Sequence, residues 1–160
     1  MKNIFTRQNP LLLFLLLSLT LSSCVVSKSK RSRINTVIQT ARSYTGTPYR
    51  YGGMSRGGID CSGLLVRSFE EAGMSVPRSS RAQSKIGRDI SLNEVRPGDL
   101  VFFAAGKRRW KITHVGLVTE VRSRSDIRFI HASSSKGVIE ANLMSDYYLK
   151  IFKRARRPKY

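Results

Sequence analysis

The apolar spacing of this chain changes once, near its middle, and no other feature constrains the fold as much. Before the change, apolar residues recur every three or four positions. Ile34, Val37, Ile38 and Ala41 share one helical face, which predicts a helix over 33–45, stopped by Gly46-Thr47-Pro48. Leu64, Leu65, Phe69 and Ala72 repeat the pattern over 61–72, with Asp60 placed as N-cap and Gly73 as C-cap glycine. Ser79 to Lys85, after Pro77, reads as a short third helix. The turn Arg96-Pro97-Gly98-Asp99 marks the change. Beyond it, Leu100–Ala104, Thr113–Val121, Ile127–His131, Val138–Ala141 and Lys150–Ala155 are short apolar or alternating runs between turn residues, hence strands. Helices followed by strands predict an α+β fold with an antiparallel sheet. Tyr49 to Gly58 is glycine-rich and reads as loop; its glycines lack the spacing and the preceding strand of a nucleotide-binding turn.

The first residues follow another logic. Lys2 and Arg7 form a basic segment, Leu11 to Leu21 is almost all leucine, and Leu21-Ser22-Ser23-Cys24 sets small residues before a cysteine. This is the order of an export signal, and the apolar run is short for a membrane span. Its ending resembles the bacterial lipobox, which implies cleavage after residue 23 and acylation of Cys24. Several acyl chains there would hold the chain stably on a membrane. Residues 24–33 then read as anchor and basic tether, and 34–157 as one domain.

The whole chain carries 29 Lys+Arg against 10 Asp+Glu. Losing Lys2 and Arg7 with the signal leaves an excess of 17. Such a charge often marks nucleic-acid binding, but an export signal points instead to anionic envelope polymers and lipid headgroups. A solvated basic surface is the plain alternative.

With Cys24 taken by lipid, Cys61 has no internal disulfide partner. An exported lone thiol is a candidate reactive group, although free cysteines are often just buried. Its position favours reactivity. Cys61 opens a helix, where unpaired N–H groups favour a thiolate, so its pKa is expected to fall. Its own N–H is also placed to donate to an oxyanion. A cysteine nucleophile needs a base, and the chain contains only two histidines, His114 and His131. Taken as a hairpin, their strands place 114 opposite 131 in one register. The next register puts 114 opposite 133 with 131 diagonal. Either lets the rings touch, and a bulge would break the pairing. His114 then acts as general base and His131 orients it; two satisfied structural histidines are the bland reading. Gly116, on the His114 face, is expected to leave room beside it. One thiol and two histidines do not make a zinc site, so neither a metal nor a cofactor is expected.

At this point a resemblance emerges. Thr47-Pro-Tyr-Arg-Tyr-Gly-Gly53, Asp60-Cys-Ser-Gly63, Val76-Pro-Arg-Ser-Ser-Arg-Ala-Gln83, Arg96-Pro-Gly-Asp-Leu-Val-Phe-Phe103, Thr113-His-Val-Gly116 and Ile130-His-Ala-Ser-Ser134 are similar, in order, to the NlpC/P60 family of cell-wall endopeptidases. The resemblance runs from about Ile34 to Arg157. It implies a papain-like fold with N-terminal helices packed on a C-terminal antiparallel sheet. It implies a cysteine peptidase that hydrolyses amide bonds in peptidoglycan stem peptides or cross-links, D-glutamyl–diamino acid or D-alanyl–diaminopimelate, with Cys61, His114 and His131 catalytic. Tyr49 matches a tyrosine near the nucleophile and is carried over as a substrate or oxyanion contact; packing is its alternative. Asp60 and Ser62 are placed in the cleft, with helix capping as theirs. Arg78 and Arg81 read as stem-peptide contacts or as solvated charge. The departure is the basic, aromatic stretch Lys107–Trp110 before His114.

Lipoproteins resembling this one, with no aspartate after the acylated cysteine (here Val25), reach the outer membrane and face the periplasm. A monomer on peptidoglycan, held to the membrane through Cys24, is the expectation. An amidase or acyltransferase on the same core is the enzymatic alternative. An inactive envelope-binding lipoprotein would be marked by loss of the cysteine or a histidine, and all three are present.

Overall fold

The computed structural model describes residues 29–105 and 110–160. Residues 29–43 are helical (α1), so the helix takes in the end of the segment read as tether. Nothing in Ser29-Lys30-Arg31-Ser32-Arg33 breaks a helix. Helix α2 is Cys61–Glu71. Its end forms as its glycine suggests: Gly73 has φ 68°, its N–H bonds Glu70 O, and Met74 N–H bonds Phe69 O. Helix α3 is shorter than its reading, Ser80–Gln83.

Two small strands, β1 (Met54–Ser55) and β2 (Gly58–Ile59), pair antiparallel inside the stretch read as loop. Glycine there serves the turn and the close approach of 53 to 58 rather than an open loop. The main sheet has six strands: β3 (Arg88–Ile90), β4 (Leu100–Phe103), β5 (His114–Val121), β6 (Ile127–Ser133), β7 (Gly137–Asn142) and β8 (Phe152–Arg157). Their order is β3-β8-β4-β5-β6-β7, antiparallel throughout. Strand β3 escaped the sequence reading because Arg88-Asp89-Ile90 has no apolar run; β8 supplies its partner. The last strand begins later than expected, since Lys150 and Ile151 end a short helix, α4 (Asp146–Ile151). Six residues are too few to display a helical period.

Alternation along the strands builds two cores. Leu100, Phe102, Val115, Leu117 and Ile130 face α1 and α2 and pack with Val37, Ala41, Leu64 and Phe69. Val101, Phe103, Val118, Phe129 and Ala155 fill the opposite face with Ile90 and Leu143, and Tyr148 and Ile151 of α4 lie against them. Each fully buried Leu or Phe is worth about 1.5–3 kcal/mol.

The β5–β6 hairpin sets the histidines. At its tip Val121 faces Ile127 and Glu120 faces Arg128; past a bulge at Thr119, Val118 faces Phe129 and Leu117 faces Ile130. The tip register, continued, would put His131 opposite Leu117, on the face away from His114. The bulge shifts pairing by one residue, bringing His131 opposite Gly116 and onto the His114 side. This is the second of the two registers considered, and the bulge creates it rather than breaking it. Gly116 does not leave an open space: a methyl there would run into the Phe129 ring and the Ile130 carbonyl. Its missing side chain lets Phe129 pack close and stack on His131.

Candidate active site

The start of α2 is held by Asp60. It has extended backbone, φ −95° and ψ 171°, and its Oδ1 accepts from Gly63 N–H at 2.6 Å and from the Ser62 hydroxyl at 3.0 Å. Oδ2 accepts from Gly52 N–H at 2.9 Å. From α3's approach, Arg78 closes a fork on the same carboxylate, 2.9 Å to Oδ1 and 2.6 Å to Oδ2, and also reaches Ser62 Oγ at 2.9 Å. Burial works against this charge, but the Arg78 fork, Gly63 N–H and Ser62 hydroxyl together hold the carboxyl below its ordinary range. Arg78 is therefore committed to the protein's own carboxylate, while Arg81 stays exposed. Gly63 has its own reason: a methyl there would strike the Gly53 carbonyl.

Cys61 follows, 7% exposed. The expected fall in its pKa is reversed. Burial pushes the thiol up to about 11, with Asp60 adding to the rise, against the backbone N–H groups of Val115, Ser62 and Cys61 itself. Desolvation outweighs those N–H groups. Cys61 packs in one core with Val115, whose N–H favours the thiolate, so the thiol lies beside β5, one residue along from His114.

From that strand to β6 and α4 the rings form a chain. His114 Nε2 lies 2.9 Å from His131 Nδ1, with the rings edge to face at 4.9 Å between centroids. His131, 3% exposed, stacks on Phe129 at 5.0 Å. Its Nε2 lies 2.8 Å from the hydroxyl of Tyr148. Tyr148 is a site residue that sequence reading missed; its signal, a tyrosine in a short run read partly as strand, is too weak to find it. Burial lowers the His114 pKa to about 4; burial, then the neighbouring His114, lowers that of His131 to about 3. At neutral pH the site therefore rests as a thiol beside uncharged imidazoles. If His114 must be neutral to act, activity holds well below the ordinary histidine pKa of 6.5 and falls as pH drops through about 4. A kcat/KM–pH profile with its acid limb near 6.5 would contradict this.

Two hollows of about 520 Å³ each adjoin here. One is lined by Cys61, Asp60, Ser62 and Arg78. The other is lined by His114, His131, Tyr148 and Lys136. Tyr49 and Thr113 line both, so Tyr49 stands at the junction. Burial, Cys61 and Asp60 raise the pKa of its phenol, which therefore stays protonated and able to donate. All six residues expected at the site thus border one bipartite cleft. Cys24 and Lys107 to Arg109 lie outside the described residues; Trp110 is exposed. Among the described residues no cluster could hold a metal ion, and no helix is long and apolar enough to cross a membrane.

Comparison with known proteins agrees with this geometry. Residues 46–157 match the NlpC/P60 family. The chain is 44% identical over 117 residues to the probable endopeptidase NlpC of Escherichia coli K12, covering 72% of each. It is 39% identical over 115 residues to the murein DD-endopeptidase MepS/murein LD-carboxypeptidase of the same organism, covering 71% of this chain and 57% of MepS. Among solved structures, a Staphylococcus aureus protein described as similar to a lipoprotein of the NLP/P60 family superposes with a TM-score of 0.69. It is 32% identical, over 81% of this chain and 42% of that one. A buried cysteine at a helix start, a histidine pair carried by two neighbouring strands, and a match over 46–157 carry one conclusion: the chain belongs to the NlpC/P60 family of cysteine-type cell-wall endopeptidases.

Proposed function

We propose that this protein hydrolyses amide bonds in peptidoglycan stem peptides or cross-links, with Cys61 as nucleophile, His114 as general base and acid, and His131 orienting His114. The observation that carries it is the thiol packed with Val115 of β5, next in sequence to His114, whose ring pairs with His131 of β6. A neutral imidazole and a neutral thiol are the forms from which general-base attack starts. As sulfur attacks the carbonyl carbon, its proton passes to His114. The C–N bond then breaks as His114 returns the proton to the leaving amine, and a thioester remains on Cys61. Water, losing a proton to His114, cleaves the C–S bond and restores the thiol. Tyr49, with a protonated phenol at the junction of the hollows, is assigned to the developing oxyanion. Asp60 and Ser62 shape the wall of the cleft and keep the helix start in place.

The substrate bond is a D-glutamyl–diamino acid or D-alanyl–diaminopimelate amide, in keeping with the endopeptidase names of the relatives. Digestion of purified muropeptides, read by mass spectrometry, tests this: the fragment masses name the bond, and release of intact stems from glycan would point to an amidase instead. Anchoring through acylated Cys24, at the periplasmic face of the outer membrane, completes the reading; the order of basic residues, leucine run and Leu21-Ser22-Ser23-Cys24 supports it. The N-terminal peptide of the exported protein is expected to begin at a diacylated or triacylated Cys24, and an unmodified Cys24 in its mass spectrum would refute the anchor.

A further inference from the structure

Tyr148 stands outside the three residues assigned to the reaction, yet its hydroxyl ends their hydrogen-bonded chain. We propose that Tyr148 is a positioning residue: by accepting from His131 Nε2–H it sets the proton on every ring, so that His114 Nδ1 is left as a bare acceptor for the thiol proton. This rests on His114 being the base.

The reasoning follows from proton counting. A neutral imidazole has one N–H donor and one bare acceptor nitrogen. His114 Nε2 is engaged by His131 Nδ1, so Nδ1 is the nitrogen of His114 left to serve the sulfur. Two proton arrangements satisfy both contacts. In the first, Tyr148 donates to His131 Nε2, His131 carries its proton on Nδ1 and gives it to His114 Nε2, and His114 is protonated on Nδ1. That His114 has no lone pair for the thiol. In the second, every direction reverses: His131 Nε2–H donates to Tyr148 Oη, His114 Nε2–H donates to His131 Nδ1, and His114 Nδ1 is bare. Only the second is competent.

The surroundings of His131 make a tyrosine hydroxyl the deciding group. His131 is buried against the Phe129 ring. An N–H without an acceptor there costs more than a bare nitrogen, so without Tyr148 Oη the proton would move to Nδ1 and impose the incompetent arrangement. Tyr148 also lines the cleft, so its hydroxyl hydrogen can turn toward the cleft while its oxygen faces His131. Burial and the neighbouring Tyr147 raise its pKa, which keeps it uncharged. It therefore directs protons without supplying the negative charge that a carboxylate would.

Tyr148→Phe in the full chain is the test. The phenyl ring keeps the packing on Phe129 at 4.8 Å and Phe103 at 5.6 Å, so the melting temperature should hold. On muropeptides kcat is expected to fall about 10- to 100-fold with KM unchanged. Nitrogen-detected NMR of the histidine rings is expected to find His131 protonated on Nε2 in wild type and on Nδ1 in Tyr148→Phe. A kcat within twofold of wild type, a loss confined to KM or melting temperature, or wild-type His131 protonated on Nδ1 would each overturn the assignment. His114→Ala, run in parallel, separates the two readings. If it stays active, the base itself is wrong; if it is dead while Tyr148→Phe is unimpaired, only the role of Tyr148 falls.

Discussion

Cys61→Ala is expected to lower muropeptide hydrolysis by at least about 10⁴-fold, the scale seen when a nucleophile acting as part of a unit is removed. The loss should lie in kcat, since the hollows on either side are lined by residues the substitution leaves in place. The backbone N–H groups of Val115, Ser62 and Cys61, which favour a thiolate, lose the sulfur in alanine. The fold should nonetheless persist, because Asp60, Ser62 and Arg78 hold the helix start independently of the thiol. Cys61→Ser should be equally inactive: an enclosed hydroxyl is harder to deprotonate than the thiol, and His114 is a weak base at a pKa of about 4. The check is initial rate against purified muropeptides, with circular dichroism confirming the fold. Turnover near the wild-type level in folded Cys61→Ala would remove the nucleophile and the mechanism with it.

Asp99→Ala is expected to cost about 3–5 kcal/mol of stability, the scale for stripping one partner from a buried ion pair. Asp99 is 1% exposed and takes both arms of Arg157, Nε at 2.8 Å and a terminal nitrogen at 2.7 Å. It also accepts from Arg96 N–H at 2.7 Å. The pair joins the end of β8 to the turn that leads into β4, its neighbour in the sheet. Removing the carboxylate leaves a largely buried guanidinium with the Glu94 carbonyl as its remaining side-chain hydrogen-bond partner among the described residues. Arg67 and Glu70, paired at 2.9 Å on the surface, provide the contrast: both are nearly half exposed, and Arg67→Ala should change stability by less than about 1 kcal/mol. Urea unfolding of both variants checks this, and equal shifts of midpoint would contradict it.

How much of this was legible in advance depends on how far apart the deciding residues lie. The start and end of α2 could be read, because Asp60 and Gly73 act on groups within a few positions. The five strand runs could be read from alternation, whereas β3 could not, since its residues become a strand by pairing with β8, some 65 residues later. Pairing of the histidines was open between two registers. One extra residue at Thr119 settled it, and bulges leave little trace in a short alternating run.

The chemistry divides along the same line. That Cys61 opens a helix and that His114 and His131 sit on consecutive strands follows from local spacing and from the six ordered motif blocks, both written in the chain itself. The ionisation of the thiol does not follow from them. A helix start favours a thiolate, yet burial among residues from both halves of the chain reverses the sign. Arg78 was open between substrate and solvent until folding placed it on Asp60, and Tyr148 had no signal until α4 laid it on His131. Periodicity and capping are energies between near neighbours, readable in order. Desolvation, strand register and long-range hydrogen bonds are energies between distant segments, and they take a sign only when those segments meet.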